Sequence, residues 1–319
     1  MRGSIHYQII AVFNESGIFV PGHSKHCAKQ LARSKGNRSS HDVSKQLGIF
    51  SYATAGAYLD IWHQCASYIR HSHGVKKIED ITPDHIKGYL CHKIERQVAY
   101  CTFQLESSAL QKFERALNLF SFKHGLGVVY CFDSAIIEAS EIARKTLIKK
   151  EHARAYRNPY AIINALDGMQ KLCGLIQVQG GARIHEVSLL KESQMRGMDI
   201  DAVTQELRGV IHLTNTKGGL PRDVAILPET YDELQDSISD RGLFSIDVNS
   251  YRRALMTAAS QTGQTYQSTH GLRWNYAQTR FKKCMDKGFT YEESLTIVSK
   301  EMGHKRSFIT LHYLAPTVE

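Results

Sequence analysis

One stretch sets itself apart from the rest of the chain. In "ELRGVIHLTNTKGGLPRDVAIL", residues 206–227, two runs of alternating apolar and polar residues flank "TKGGLP". Period-two alternation marks a half-buried strand, and a glycine pair between two such runs marks a hairpin, with Gly218 and Gly219 at its turn. Most of the surrounding sequence follows a period near 3.6 instead. Tyr58, Ile61, Trp62, Cys65, Tyr68 and Ile69 recur on one face behind Thr54, a candidate cap. "ITPDHIKGYL" offers Thr82 as cap and Pro83 at the first helical position, with Ile86, Leu90 and Ile94 as the buried stripe. A third helix runs from about Thr102, turns Leu110, Phe113, Leu117 and Phe120 inward and stops at "HGLG". A fourth covers roughly Ser134 to Lys149. The helical spacing of these aromatics assigns them to a core rather than to base stacking. The pattern predicts a mainly α chain with a small β component.

With 319 residues, 42% of them apolar, the chain is long enough for two domains that each bury a core. Residues 1–40 read as a basic N-terminal extension. There "IHYQIIAVF" fits a strand or a short helix, and "SKHCAKQLARSKGNRSS" begins as a basic helix and runs into a polar linker. Residues 41–150 form a helical domain. "KKEHARAYRNPY" is basic, polar and closed by Pro159, which places an interdomain linker at 151–158. Residues 159–319 form the second domain, interrupted by the hairpin.

Composition narrows the partners. No run of eighteen apolar residues offers a membrane span, and the N-terminus lacks a secretory cleavage pattern. Seven cysteines are scattered with no CxxC pair, so neither a disulfide framework nor a zinc ribbon is suggested, and a cytoplasmic location with reduced thiols is expected. His23, His26 and Cys27 lie within five residues and fit no common zinc spacing, so no metal is expected. The net charge of +9 leans toward a polyanionic partner, nucleic acid being the commonest. Lys25, Lys29, Arg33, Lys35 and Arg38 against a lone Glu15 suit a nucleic-acid contact and a solvated basic helix about equally.

Four places in the second domain carry charge that helix packing alone does not require. "GGARIHE" gives Arg183 and Glu186 after a glycine pair, and the hairpin gives Lys217 at its tip. "STHGLRWNYAQTRF" puts His270 and Arg273 about one helical turn apart on one face. "EMGHKRSFITLHYL" puts Tyr313 nine residues after His304. Each motif alone is common. In this order, with the hairpin lysine between, they are specific, and the sequence resembles the tyrosine recombinase (phage integrase) family from about Ser51 to Leu314. That family carries an arginine in a "GxRxxE" context, a hairpin lysine, "HxLR", "GH" and a tyrosine about nine residues beyond.

The resemblance implies an N-terminal helical core-binding (SAM-like) domain followed by an α+β catalytic domain. It implies Arg183, Lys217, His270, Arg273 and His304 as the activating set, Tyr313 as nucleophile and Glu186 as a buttress. Trp274 stands where many relatives have a second histidine, and only six residues follow Tyr313. The implied partners are double-stranded DNA with specific recombination sites, further copies of the chain in a synaptic tetramer, and an accessory directionality factor. The implied setting is cytoplasmic and nucleoid-associated, with no membrane partner. The implied reaction is strand cutting and rejoining through a 3′-phosphotyrosine in a mobile element's integration or excision, without a cofactor. Two rivals share the residues in part: a type IB topoisomerase, and a DNA-binding relative that does not cut.

The residue types suit that chemistry. Guanidiniums hold nonbridging phosphate oxygens bidentately, which ammonium groups do not. A tyrosine hydroxyl ordinarily ionises near pH ~10 and needs a proton acceptor to attack. His270 would serve as that acceptor, Lys217 would protonate the departing 5′ oxygen, and His304 would hydrogen-bond the phosphate.

Overall fold

The computed structural model describes residues 1–149, 153–214, 216 and 221–315. The chain divides into two compact units, Met1–Lys150 and Glu151–Glu319.

The first unit is helical throughout: α1 (Ile5–Glu15), α2 (Lys25–Ser34), α3 (Ser40–Gln46), α4 (Tyr52–His73), α5 (Pro83–Glu95), α6 (Tyr100–His124) and α7 (Asp133–Thr146). Its core gathers the faces foreseen from periodicity. Trp62 lies fully buried against Phe113, ring centroids 4.9 Å apart, and its indole N–H donates to the Ala109 carbonyl at 2.8 Å. Thr82 caps α5 with Pro83 in its first turn, as the sequence predicts, and Gly125 closes α6 in a left-handed conformation. The cap of α4 is Ser51 rather than Thr54. The Ser51 hydroxyl accepts the Thr54 N–H, so the helix begins one turn earlier than its apolar stripe reveals.

The first forty residues do not stand apart. "IHYQIIAVF" is helical, as α1, and Ile9, Val12, Phe13 and Ile18 sink into the same core as Trp62. The Phe13 ring meets the Trp62 indole edge-on at 5.9 Å, and the Ile49 N–H donates to the Ile18 carbonyl at 2.8 Å. The apolar run that reads ambiguously by itself is resolved by having a partner to bury it. Deleting residues 1–40 is therefore expected to unfold this unit rather than leave it intact. Burying one large aliphatic or aromatic side chain contributes about 1.5–3 kcal/mol, so four rival a typical domain stability of about 5–15 kcal/mol. Circular dichroism melts of the truncated chain check this, and an unchanged cooperative transition would contradict it.

The second unit holds α8 (Pro159–Asn164), α9 (Gly168–Gly180), α10 (Ile184–Val187), α11 (Pro228–Arg241), α12 (Val248–Gln261), α13 (Ser268–Asp286), α14 (Tyr291–Glu301) and α15 (Ile309–Tyr313). Its strands are β1 (Leu189–Leu190), β2 (Met195–Ile200), β3 (Leu207–Leu213), β4 (Arg222–Ile226) and β5 (Phe244–Ser245). β3 and β4 pair antiparallel from Gly209 opposite Ile226 to Leu213 opposite Arg222, the hairpin expected from alternation. β2 adds a third strand on the far side of β3, and β1 pairs with β5 as a separate ribbon. Residues 153–158 are not a free linker. The Tyr156 N–H donates to the Asn275 side chain at 3.0 Å, its hydroxyl donates to the Ser268 carbonyl, and Ala153, Ala155 and Tyr156 are buried.

Candidate active site

The site grows from the end of α9. Gly181 closes that helix at φ +63, and an added Cβ would stand 2.3 Å from the Tyr276 ring, so only glycine fits. The chain then turns so that Arg183 opens α10. Glu186, one turn on, takes the Arg183 backbone N–H at 2.8 Å on one carboxylate oxygen and the Arg183 guanidinium at 2.7 Å on the other. Arg222, the first residue of β4, donates to the same carboxylate at 2.8 Å and to the Glu301 carbonyl at 2.9 Å. Burial alone would raise the pKa of Glu186, but the two arginines and the N–H hold it down to about 2.

Helix α13 brings His270 and Arg273 to the same place. Arg273 is fully buried, a position that no unpaired charge holds cheaply. Its guanidinium donates to the Gly181 and Met302 carbonyls and lies 3.1 Å from His304 Nε2. Burial, then repulsion from Arg183, pulls its pKa down to about 10, so it stays cationic near neutrality. Its Nε–H has no protein partner and is the donor left over. His304 follows α14 because Gly303, at φ +70, ends that helix.

Tyr313 closes α15 with its ring buried and its hydroxyl 3.3 Å from His270 Nε2. The ring packs against Trp274 at 5.2 Å, His304 at 5.8 Å and His270 at 5.8 Å, with the Arg273 guanidinium 5.9 Å from its centroid. Core packing and a placed hydroxyl are thus compatible uses of one tyrosine. Leu311, by contrast, is exposed. Both histidines are held neutral. Burial, then the nearby Arg273, lowers each to about 4, with Arg154, Arg183 and His312 adding to His270, and Arg183, Arg222 and His270 adding to His304. A neutral Nε2 facing a hydroxyl is able to take its proton.

The sign of the resulting pH dependence follows. The unfolded histidines bind protons near pH ~6.5, whereas the folded ones wait until about 4, so below 6.5 the unfolded chain binds more protons. Stability of the second unit should fall as pH drops from about 6.5 toward 4, with Glu186 extending the loss toward about 2. Melting temperatures of the wild type and a His270→Gln/His304→Gln variant across that window check this, and the variant should show the flatter profile.

The structure therefore brings together Arg183, Glu186, His270, Arg273, His304 and Tyr313. Lys217, Gly218 and Gly219 lie outside the described residues. Arg222 is the member that motif reasoning missed. Its signal was present in the alternation, since Arg222 shares the inward parity of Val224 and Ile226 on β4, where a cation needs a reason to be. A cavity of about 640 Å3 in the same unit, lined by Tyr276, Arg280 and Glu301 among others, includes none of the six side chains brought together above. The candidate site is an array of side chains instead. It offers two guanidiniums, two neutral imidazoles and one hydroxyl, a set able to bind an oxyanion and attack it.

No family model matches the sequence, and no curated protein matches it. Among solved structures, a lambda integrase dimer bound to a COC′ core site is similar over 98% of this chain and 83% of that one, with a TM-score of 0.56 at 15% identity. The Tn1549 transposon integrase is similar in complex with transposon right end DNA, at a TM-score of 0.51, and with a circular intermediate DNA, at 0.52. Both comparisons cover 92% of this chain and 95% of the other at 13% identity. No helix among the described residues is long and apolar enough to cross a membrane. Helical first unit, second unit with its antiparallel β2–β3–β4 sheet and these neighbours agree: the chain has the fold of these integrases.

Proposed function

We propose that the chain is a site-specific DNA recombinase that cuts and rejoins strands through a 3′-phosphotyrosine, serving the integration or excision of a mobile element. The observation that carries this reading is the Tyr313 hydroxyl 3.3 Å from a neutral His270, beside Arg183 and Arg273. In the proposed reaction His270 Nε2 takes the hydroxyl proton as the Tyr313 oxygen attacks phosphorus. Arg183, whose side chain is 20% exposed, and the free Nε–H of Arg273 hold the nonbridging oxygens. His304 hydrogen-bonds the phosphate, and Lys217 gives a proton to the departing 5′ oxygen. The phosphotyrosine keeps the bond energy, so rejoining needs no cofactor. The helical first unit serves as the core-site-binding domain, and four protomers assemble on two DNA sites, with an accessory factor setting direction.

Glu186 and Arg222 act one step back, by aiming Arg183. Arg222→Gln should slow cleavage on the order of tenfold, less than the roughly 10²–10³ expected for a donor that touches the phosphate directly. Single-turnover cleavage rates on a trapped substrate check the ordering of the two effects.

A two-site recombination assay run beside supercoil relaxation tests the whole reading. Recombinant product supports it. Relaxation without recombination points to a topoisomerase-like enzyme, and binding without either product points to a relative that does not cut.

A further inference from the structure

The first unit contains a cavity of about 260 Å3 that the catalytic proposal does not use. Four cations line it: Lys25, Lys29 and Arg33 from α2, and Lys112 from α6. Among the described residues that line it there is no carboxylate. We propose that this cavity is a phosphate-binding pocket, with Lys29, Arg33 and Lys112 as its main cationic contacts.

Three observations carry the inference. First, Lys25, Lys29 and Arg33 recur every four residues on α2, a helix without a single acidic residue. Like charges at that spacing destabilise a helix by a few tenths of a kcal/mol per pair. The arrangement is therefore unfavourable to the helix itself and becomes favourable when an anion sits among the charges. Second, Lys112 is only 8% exposed and, among the described residues, makes no ion pair. Its ammonium donates to the Ser44 and Leu47 carbonyls, which leaves one of three N–H groups for a ligand. Burial, then Arg115 and Lys25, lowers its pKa to about 8. Third, the remaining wall supplies neutral donors. Ser51, Thr54 and Tyr58 border the cavity where α4 begins, so hydroxyls and a helix N-terminus face the same space.

The volume equals roughly eight or nine water volumes, room for a short run of phosphoryl groups. Such groups reach the pocket from two sources, the backbone of bound DNA or a free oligophosphate. The first source rests on the recombinase reading and the second does not.

The test uses the full chain and inorganic tripolyphosphate, followed by isothermal titration in metal-free buffer. A saturable site is expected, weakened at least about tenfold by Lys29→Glu/Arg33→Glu, because each lost charge-assisted contact is worth about a factor of ten. A Lys76→Glu/Lys77→Glu variant carries the same change of net charge at exposed positions outside the pocket and should bind nearly normally. Both double variants alter surface side chains, whereas Lys112→Met would also free two carbonyls and is a secondary probe. If tripolyphosphate displaces duplex DNA, and the pocket variant loses more DNA affinity than the control variant, the source is DNA. If the two variants bind DNA alike while only the pocket variant loses tripolyphosphate, the source is a free oligophosphate. Absence of saturable binding, or equal loss in both variants, overturns the pocket. No cleavage is measured, so a chain that proves unable to cut leaves the result readable.

Discussion

Tyr313→Phe is expected to bind DNA with near-normal affinity and to form no covalent adduct at all. The substitution removes one oxygen and keeps the ring, and the ring is what packs against Trp274, His304 and His270. The hydroxyl lies 3.3 Å from His270 Nε2 and also interacts with the Arg273 side chain. Losing a typical hydrogen bond costs about 0.5–1.5 kcal/mol, so folding should survive while the nucleophile does not. Denaturing gels of the protein with a nicked, end-labelled site give the readout. An adduct persisting in this variant would mean that a different side chain attacks.

The second large effect belongs to Lys217, expected on the hairpin between β3 and β4. If Lys217 is the general acid, as proposed, Lys217→Ala should slow cleavage by roughly 10²–10⁴. A substrate with sulfur in place of the bridging 5′ oxygen departs as a stable thiolate and needs no proton. On that substrate the variant should cleave nearly as fast as the unaltered enzyme. Arg183→Ala should show no such recovery, because its proposed task is to hold the nonbridging oxygens, which sulfur at the bridging position leaves unchanged. Equal defects of Lys217→Ala on both substrates would reassign the lysine to phosphate or base contact.

Both effects bear on how the two kinds of cation divide the work. Arg273 is turned toward the protein, its fork spent on two backbone carbonyls and His304. Arg183 faces outward and is steadied by Glu186, which Arg222 steadies in turn. A carboxylate held near pKa 2 between two guanidiniums stays ionised over any working pH, so this scaffold does not titrate when the histidines do. In the proposed reaction the protons that move are then confined to Tyr313, His270, Lys217 and the leaving oxygen.

The sequence by itself determined most of the local elements and named most members of the candidate site. A 3.6-residue stripe buries one helix face whatever its neighbours, which is why Trp62, Phe113 and Leu117 were legible as core. A period of two on either side of "TKGGLP" announced the β3–β4 pairing. Ordered motifs named Arg183, His270, Arg273, His304 and Tyr313 because residue type and spacing survive in one dimension. Tertiary structure alone decided what each of these groups faces. It put α1 into the first unit's core, since a short apolar run fits strand and helix equally until a partner buries it. It docked residues 153–158 onto α13 through Asn275, a pairing across more than a hundred residues that no local pattern encodes. It lowered both histidines to about 4, because burial and a neighbouring guanidinium act through space and not along the chain. And it gave Arg222 its place beside Glu186, where inward parity on β4 meets a carboxylate contributed by another element.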